Sequence, residues 1–178
     1  MHRPRPRGKG PGAIGPTGVR EKDQTLLLGH FLREKLQLHG HEVTMTRYTD
    51  VDVNLASRAR LANREEADCF LSLHFNGAEN PSANGAEVWH YPGSAKGEAL
   101  AGELQRCMVG FGQFDRGIKA SSRLAVLRLT RMPAVLVEPA FITNPDEERL
   151  LQDLGWLNEL AGAIARGLEQ FSERRGDG

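Results

Sequence analysis

The most constraining feature of the sequence is a short apolar run, residues 134–137, that ends in Glu138. A continuous run of small and β-branched apolar residues is typical of a strand that is covered on both faces. A second apolar run, residues 69–73, leads in the same way into His74. Such strands belong to sheets whose ligands lie beyond the carboxyl ends of the strands. The two runs therefore predict an α/β fold with a site where His74 and Glu138 emerge.

Hydrophobic periodicity predicts an alternation of helices and strands along most of the chain. This order favours an open, mostly parallel or mixed sheet with helices on both faces. The predicted helices run from Glu21 to about Gly40, from Asp52 or Asn54 to about residue 66, over residues 94–109, from Pro145 onward and over residues 157–171; the predicted strands are residues 42–46, 69–75, 86–91, 124–128 and 134–138.

Composition limits the classes of partner. The 178 residues suit one domain, and 23 basic residues balance 23 acidic residues. A net charge of zero gives no electrostatic case for nucleic acid or an anionic membrane as the main partner. No apolar stretch is long enough to span a bilayer, and no apolar segment of a signal peptide follows the basic N-terminus. We therefore expect a soluble, monomeric domain.

The two cysteines, Cys69 and Cys107, are far apart and form no metal-binding spacing. We expect them to be buried thiols rather than metal ligands or a disulfide, because free cysteine behaves as a small apolar residue.

Three side chains are candidates for a metal-dependent site. Glu21 opens a helix after a glycine-rich loop, while His74 and Glu138 each end an apolar strand. Imidazole and carboxylate both bind zinc, and a catalytic zinc takes three protein ligands plus water. A further carboxylate can accept a proton from that water. The plainer alternative is that His74 and Glu138 are simply the first exposed residues after each strand.

Many short motifs in a fixed order carry a resemblance to one enzyme family. These motifs are GAIG (12–15), GVREKD (18–23), TR (46–47), LASR (55–58), AN (62–63), AD (67–68), SLHFN (72–76), MPAVLVE (132–138) and FITNP (141–145). Over about residues 8–171 the chain resembles the zinc-dependent N-acetylmuramoyl-L-alanine amidases of the amidase-3 type, which are cell-wall hydrolases.

The resemblance implies an open α/β fold with one zinc ion and hydrolysis of the amide between N-acetylmuramic acid and L-alanine in peptidoglycan. By position, Glu21 and His74 match zinc ligands of the family, and Glu138 matches the catalytic glutamate that activates the hydrolytic water. Because peptidoglycan lies outside the cytoplasmic membrane, the resemblance also implies a periplasmic or extracellular location.

The start of the chain departs from the family pattern. The family begins with an apolar strand that leads into Asp-Pro-Gly-His-Gly-Gly, and the histidine of this motif is the first zinc ligand. Here residues 1–7 form a basic, proline-interrupted stretch in which His2 is the nearest imidazole. A ligand needs a rigid support, so His2 is a poor replacement. We therefore predict a tail at residues 1–7, a catalytic domain at 8–171 and a polar tail at 172–178.

A frameshift would explain this departure. Residues 2–9 can be encoded as CAT CGA CCC CGG CCA CGG GGC AAG. Read one base later, with one G restored to the G run, this DNA encodes Ile-Asp-Pro-Gly-His-Gly-Gly-Lys. We therefore hypothesise a one-base deletion near the start of the reading frame. The plainer alternative is a solvated basic arm.

Asn76 lies two residues beyond His74 and points to the same side of the strand. It could bind substrate near the metal or cap the loop that follows. Residues 115–118 also match a family segment and are a weak candidate for the groove wall. His30, His39, His41 and His90 are interpreted as boundary, helix-end or packing residues rather than ligands.

Three functions remain open from the sequence. The leading one is the amidase. The second is a catalytically impaired, wall-binding remnant of such an amidase, because one zinc ligand is missing from the chain as written. The third is a different zinc amidohydrolase or peptidase that acts on small peptides.

Overall fold

The computed structural model describes residues 10–176, and the predicted tail at residues 1–7 lies outside this range. The helices are α1 (Glu21–Leu38), α2 (Leu55–Arg64), α3 (Ala95–Gly110), α4 (Ala125–Leu129), α5 (Pro145–Leu151) and α6 (Leu154–Gly176), and the strands are β1 (Phe70–Leu73), β2 (Ala86–His90), β3 (Asp115–Ala120) and β4 (Ala134–Glu138).

The strands form one mixed sheet in the order β1-β4-β2-β3. β1 runs parallel to β4, β4 is antiparallel to β2, and β2 is parallel to β3. The carboxyl ends of β1 and β4 therefore lie at the same edge of the sheet as the start of β2. This edge is where His74 and Glu138 emerge, as the sequence predicts.

Side chains of β4 alternate between two apolar clusters. Val135 and Val137 pack in the larger cluster with α1, α3 and α6, while Ala134 and Leu136 pack in a smaller cluster with α2 and α4. All four side chains are buried. The prediction that this strand is covered on both faces by helices is confirmed.

Two asparagines fix the starts of the short helices. The side chain of Asn54 accepts a hydrogen bond from the Ser57 amide, so α2 begins directly after Asn54. Asn144 accepts hydrogen bonds from the amides of Asp146 and Glu147, and Pro145 occupies the first turn of α5. Both are standard ways to satisfy amides that a helix leaves unpaired at its N-terminus.

The predicted strand at residues 124–128 is wrong, because Ala125–Leu129 form α4. β4 already pairs with β1 on one side and with β2 on the other, so no further strand can pair with it. The apolar residues of this segment instead pack against α2. β3 was missed because its alternation is interrupted by charged residues and it is a partly exposed edge strand.

The predicted strand at residues 42–46 is also wrong, since this segment has no regular secondary structure. It borders a cavity of about 1310 Å³ that is also lined by α1, α2 and β1. The backbone amides of Phe70 and His74 donate hydrogen bonds to the carbonyl oxygens of Pro133 and Val137. The N–H and C=O groups of Leu71 and Leu73 therefore point away from β4. Within residues 10–176 no strand pairs with this side of β1, and residues 42–46 line the same cavity without pairing with any strand.

The last helix is longer than predicted. α6 starts at Leu154 rather than residue 157 and continues to Gly176, so it enters the predicted polar tail at 172–178. Glu and Arg are good helix formers, and a polar composition does not by itself end a helix. Cys69 and Cys107 are both free thiols, as expected, although only Cys107 is buried. In the part of the chain that the structure describes, every helix is too short or too polar to cross a bilayer.

The packing of α6 predicts a large difference between two leucines of that helix. Leu160 is fully buried, whereas Leu154 is 57% exposed. We expect Leu160→Ala to lower the free energy of unfolding by about 2–5 kcal/mol, because it leaves a cavity in the core. The matched control Leu154→Ala should change it by less than about 0.5–1 kcal/mol. Guanidinium chloride unfolding measures both, and equal losses would contradict the assigned packing.

Candidate active site

Glu21 is the first residue of α1, and its carboxylate is held by the loop before the helix. The Glu21 amide donates to the Ala13 carbonyl at 2.9 Å, and the Ala13 amide donates to Glu21 Oε2 at 2.7 Å. Gly12 has a φ of +78°, and a Cβ on this residue would lie 2.5 Å from Glu21 Oε2. Glycine is therefore required for the loop to close over the carboxylate, which is almost completely buried.

His74 follows directly after β1 and meets Glu21. Its Nδ1 lies 2.7 Å from Glu21 Oε1, which is the glutamate oxygen that Ala13 does not bind. The histidine side chain is 27% exposed, so the pair is open to a ligand on one side. The structure thus brings together the two side chains that the sequence assigns to zinc.

The side chains of this pair are of the kinds that bind zinc, but there are fewer of them than a catalytic zinc site needs. One imidazole nitrogen and one carboxylate oxygen face each other, and both are common zinc ligands. The hydrogen bond from Ala13 is the kind of outer contact that fixes a metal ligand in place. Among residues 10–176, however, no group of three or more His, Cys, Asp or Glu side chains is arranged to hold a metal. The described chain therefore offers two of the three protein ligands that a catalytic zinc takes.

Glu138 ends β4 at the same edge of the sheet. Burial raises the pKa of its carboxyl to about 8, and a hydrogen bond with Glu87 and the negative charges of Glu87 and Glu21 act in the same direction. The carboxyl is therefore protonated near neutral pH when no cation is present. A carboxyl that gains and loses a proton near neutral pH is suited to general acid–base chemistry.

Glu87 is a further carboxylate beside Glu138, and no sequence motif pointed to it. It lies directly opposite Glu138 in the antiparallel pairing of β2 with β4 and is only 3% exposed. Its oxygens accept hydrogen bonds from four side chains: Asn76 Nδ2 (2.9 Å), Trp89 Nε1 (3.1 Å), Arg116 Nε (2.9 Å) and Lys119 Nζ. The only local signal was a charged residue at position 87 within a predicted strand, which is ordinary for a solvent-facing side.

Both polar atoms of the Asn76 side chain form hydrogen bonds within the protein. Its amide group donates to Glu87 Oε1, and its Oδ1 accepts from the Gly77 amide at 2.8 Å. The second bond is the loop cap that the sequence allowed. Its role in binding substrate stays a prediction.

The remaining candidates have other partners or positions. His90 lies at the far end of β2, opposite Val135, and is buried as expected of a packing residue. His30 Nε2 lies 3.0 Å from the Tyr48 carbonyl oxygen, and His39 pairs with Glu169. Residues 115–118 lie in β3, where Arg116 reaches Glu87. His2 lies outside the described residues.

This chain is similar in sequence to proteins of known family. Residues 7–170 match the family model described as N-acetylmuramoyl-L-alanine amidase. The chain is 37% identical to the endolysin of Bacillus phage SPP1 over 92% of this chain and 62% of the endolysin. It is 30% identical to the N-acetylmuramoyl-L-alanine amidase AmiA of Escherichia coli over 90% of this chain and 71% of that protein.

Solved structures agree with the sequence comparison and confirm the predicted fold. The N-acetylmuramoyl-L-alanine amidase AmiC2 of Nostoc punctiforme superposes with a TM-score of 0.87 at 34% identity, over 93% of this chain and 92% of that chain. The amidase of Clostridium difficile 630 gives 0.87 at 32% identity, over 93% and 91%. With its mixed sheet, its helices on both faces and the match over residues 7–170, this chain belongs to the N-acetylmuramoyl-L-alanine amidase family.

Proposed function

We propose that this chain hydrolyses the amide bond between N-acetylmuramic acid and L-alanine in peptidoglycan, with zinc as its cofactor. The observation that carries the proposal is the meeting of Glu21, His74 and Glu138 at one edge of the sheet in a family of amidases. The proposal places the enzyme in the periplasm or outside the cell, because the substrate lies there. It also includes a monomeric state.

Glu21 and His74 are the residues that would hold zinc. Their facing atoms lie 2.7 Å apart, and the Ala13 amide orients the glutamate. When bound, zinc supplies a Lewis acid that lowers the pKa of water toward 7 and polarises the scissile carbonyl. Zinc would bind the deprotonated forms of these two donors, so its binding would release the proton of their hydrogen bond.

Glu138 is proposed to transfer the proton of the reaction. A water molecule attacks the carbonyl carbon of the lactyl group, and its proton passes to the Glu138 carboxylate. The C–N bond then breaks, and the same proton passes to the nitrogen of L-alanine, which leaves as an amine. The position of Glu138 at the end of β4, close to Glu21, supports this role, and a bound cation would favour the charged form of its carboxyl that accepts the proton.

We propose that the third zinc ligand is the histidine of the family's first motif, which the hypothesised frameshift removes from residues 2–9. Gly10 and Gly12 line the same cavity as Glu21, His74 and the free edge of β1.

An impaired, wall-binding remnant is the second candidate. The observation in its favour is that residues 10–176 present two zinc donors rather than three. Such a protein would bind peptidoglycan without turnover, because a two-ligand site holds the ion weakly and orients water poorly.

The role of Glu138 is tested by Glu138→Gln in the zinc-loaded protein. We expect the release of L-alanine amino termini from purified peptidoglycan to fall by about 10²–10⁴-fold, because glutamine cannot accept the proton. The matched control is Glu159→Gln on the exposed face of α6, which should retain full activity. Equal activity of Glu138→Gln and the unmodified protein would refute the assignment, whereas wall binding without turnover in both would favour the remnant.

The origin of the third ligand is tested by replacing residues 2–9 with Ile-Asp-Pro-Gly-His-Gly-Gly-Lys. We expect zinc affinity, measured by competition with a chromogenic chelator, to rise by more than about 100-fold, since losing even an outer contact costs up to that much. The control carries alanine in place of the histidine in this motif and should bind zinc like the original chain. No gain over that control would contradict the proposal, as would gene codons that fail to encode the motif in the shifted frame.

The raised pKa of Glu138 predicts a pH-dependent stability in chelator-treated, zinc-free protein. The folded state keeps the proton up to about pH 8, whereas the unfolded state releases it near pH 4.5, so stability is lost as the pH rises between these values. We expect Glu138→Gln to raise Tm relative to the unmodified protein increasingly from pH 5 to pH 8.5. Thermal unfolding followed by circular dichroism measures this difference, and a difference that stays constant with pH would contradict the assigned environment.

A further inference from the structure

We infer that Glu87 is a positioning residue for Glu138, whose carboxyl it holds in place through a direct hydrogen bond from the neighbouring strand. The inference deepens the proposed function, since it rests on Glu138 as the group that transfers the proton.

The register of the sheet brings the two carboxyls together. Glu87 and Glu138 are directly opposite each other in the antiparallel β2–β4 pair, and their side chains share a hydrogen bond. Opposite residues in such a pair have Cβ atoms about 4.5–5.5 Å apart, and like charges at that distance destabilise a sheet. One proton shared between the two groups removes this repulsion, in the way that paired carboxylates share a proton elsewhere.

The donors around Glu87 determine which carboxyl carries the proton. Oε1 accepts from Asn76 and Trp89, and Oε2 accepts from Arg116 and Lys119. Hydrogen bonds from these donors, two of which are cations, favour the charged form of the Glu87 carboxylate. Burial raises the pKa of Glu87, but its hydrogen bonds with Lys119, Arg116 and Glu138 and the positive charge of Lys119 together leave the pKa below its usual value.

Aromatic rings keep the two cations over Glu87. The guanidinium of Arg116 lies 4.7 Å from the centre of the Phe141 ring, and the ammonium of Lys119 lies 5.3 Å from the centre of the Trp89 ring. These contacts stabilise each cation where it can reach Glu87 Oε2. Glu87 is thus an oriented, charged acceptor that is buried below the surface open to substrate.

Among residues 10–176, a further charged group that acts on this pair comes from α1. Glu21 raises the pKa of Glu138 through its negative charge, but less than Glu87 does. Because Glu87 lies opposite Glu138, it acts on one step of the reaction. It accepts a hydrogen bond from the protonated form of Glu138, which is the form that must exist after water has lost its proton and before the amine leaves.

The kinetic test is Glu87→Gln in the zinc-loaded protein. We expect kcat to fall by about 10–100-fold, as is typical for partners behind a catalytic group, while KM changes less than about threefold. The acid limb of the pH profile should move to lower pH, because a negative charge beside Glu138 is removed. The matched control is Glu103→Gln, another buried glutamate paired with two arginines, Arg106 and Arg174, which should leave kcat and the profile unchanged. A change in KM alone, or an unmoved acid limb, would overturn the inference.

A second variant gives the opposite shift and covers the case in which Glu87→Gln does not fold. Arg116→Gln removes one cation from Glu87 and leaves the carboxylate in place. We expect the acid limb to move to higher pH, since the pKa of Glu138 rises when a nearby positive charge is lost. A shift to lower pH would contradict the inference.

A stability measurement separates failure of this inference from failure of the proposed function. In zinc-free protein, the pH-dependent gain in Tm from Glu138→Gln should shrink when Glu87→Gln is already present, because the two groups are coupled. This cycle requires no activity. An undiminished gain would overturn the inference even in an active enzyme, whereas a diminished gain in an inactive protein would support it and contradict the amidase proposal alone.

Discussion

The antiparallel pairing of β2 with β4 is the constraint on which the candidate site depends. β1 and β4 are parallel, so their carboxyl ends lie together, and the reversal at β2 brings the beginning of a third strand to the same edge. Without that reversal, Glu87 and Glu138 would lie at opposite ends of the sheet. With it, a histidine, two carboxyls from adjacent strands and the first residue of α1 meet in a small, partly buried volume.

This arrangement divides the carboxylates by environment. Glu87 has four donors and stays charged, whereas Glu138 has burial and two negative neighbours and keeps its proton. Glu21 is oriented by a backbone amide and faces His74. The same chemical group can therefore bind a cation, carry a proton or hold another side chain, and the contacts of each residue decide which role it can take.

Local sequence patterns were sufficient to predict the site residues that lie at the start or the end of a helix or strand. Glu138 and His74 each follow a visible apolar run, and Glu21 opens a helix with clear periodicity, so all three could be found from the sequence. Glu87 could not, because its significance comes from Arg116 and Lys119, which lie about thirty residues further along the chain. The errors in the fold have the same cause. Residues 124–128 are apolar enough for a strand, but both sides of β4 are already paired. Residues 42–46 alternate as a strand should, but they pair with none of the strands in residues 10–176.

Product analysis of digested peptidoglycan identifies the bond that this chain cuts. Zinc-loaded protein would be incubated with purified peptidoglycan, and the soluble products would be identified by mass spectrometry. If the proposed function is correct, the products are free stem peptides with L-alanine at their amino end, together with glycan strands whose N-acetylmuramic acid carries a free lactyl carboxylate. Products cut within the peptide or within the glycan, with the bond between N-acetylmuramic acid and L-alanine intact, would contradict it.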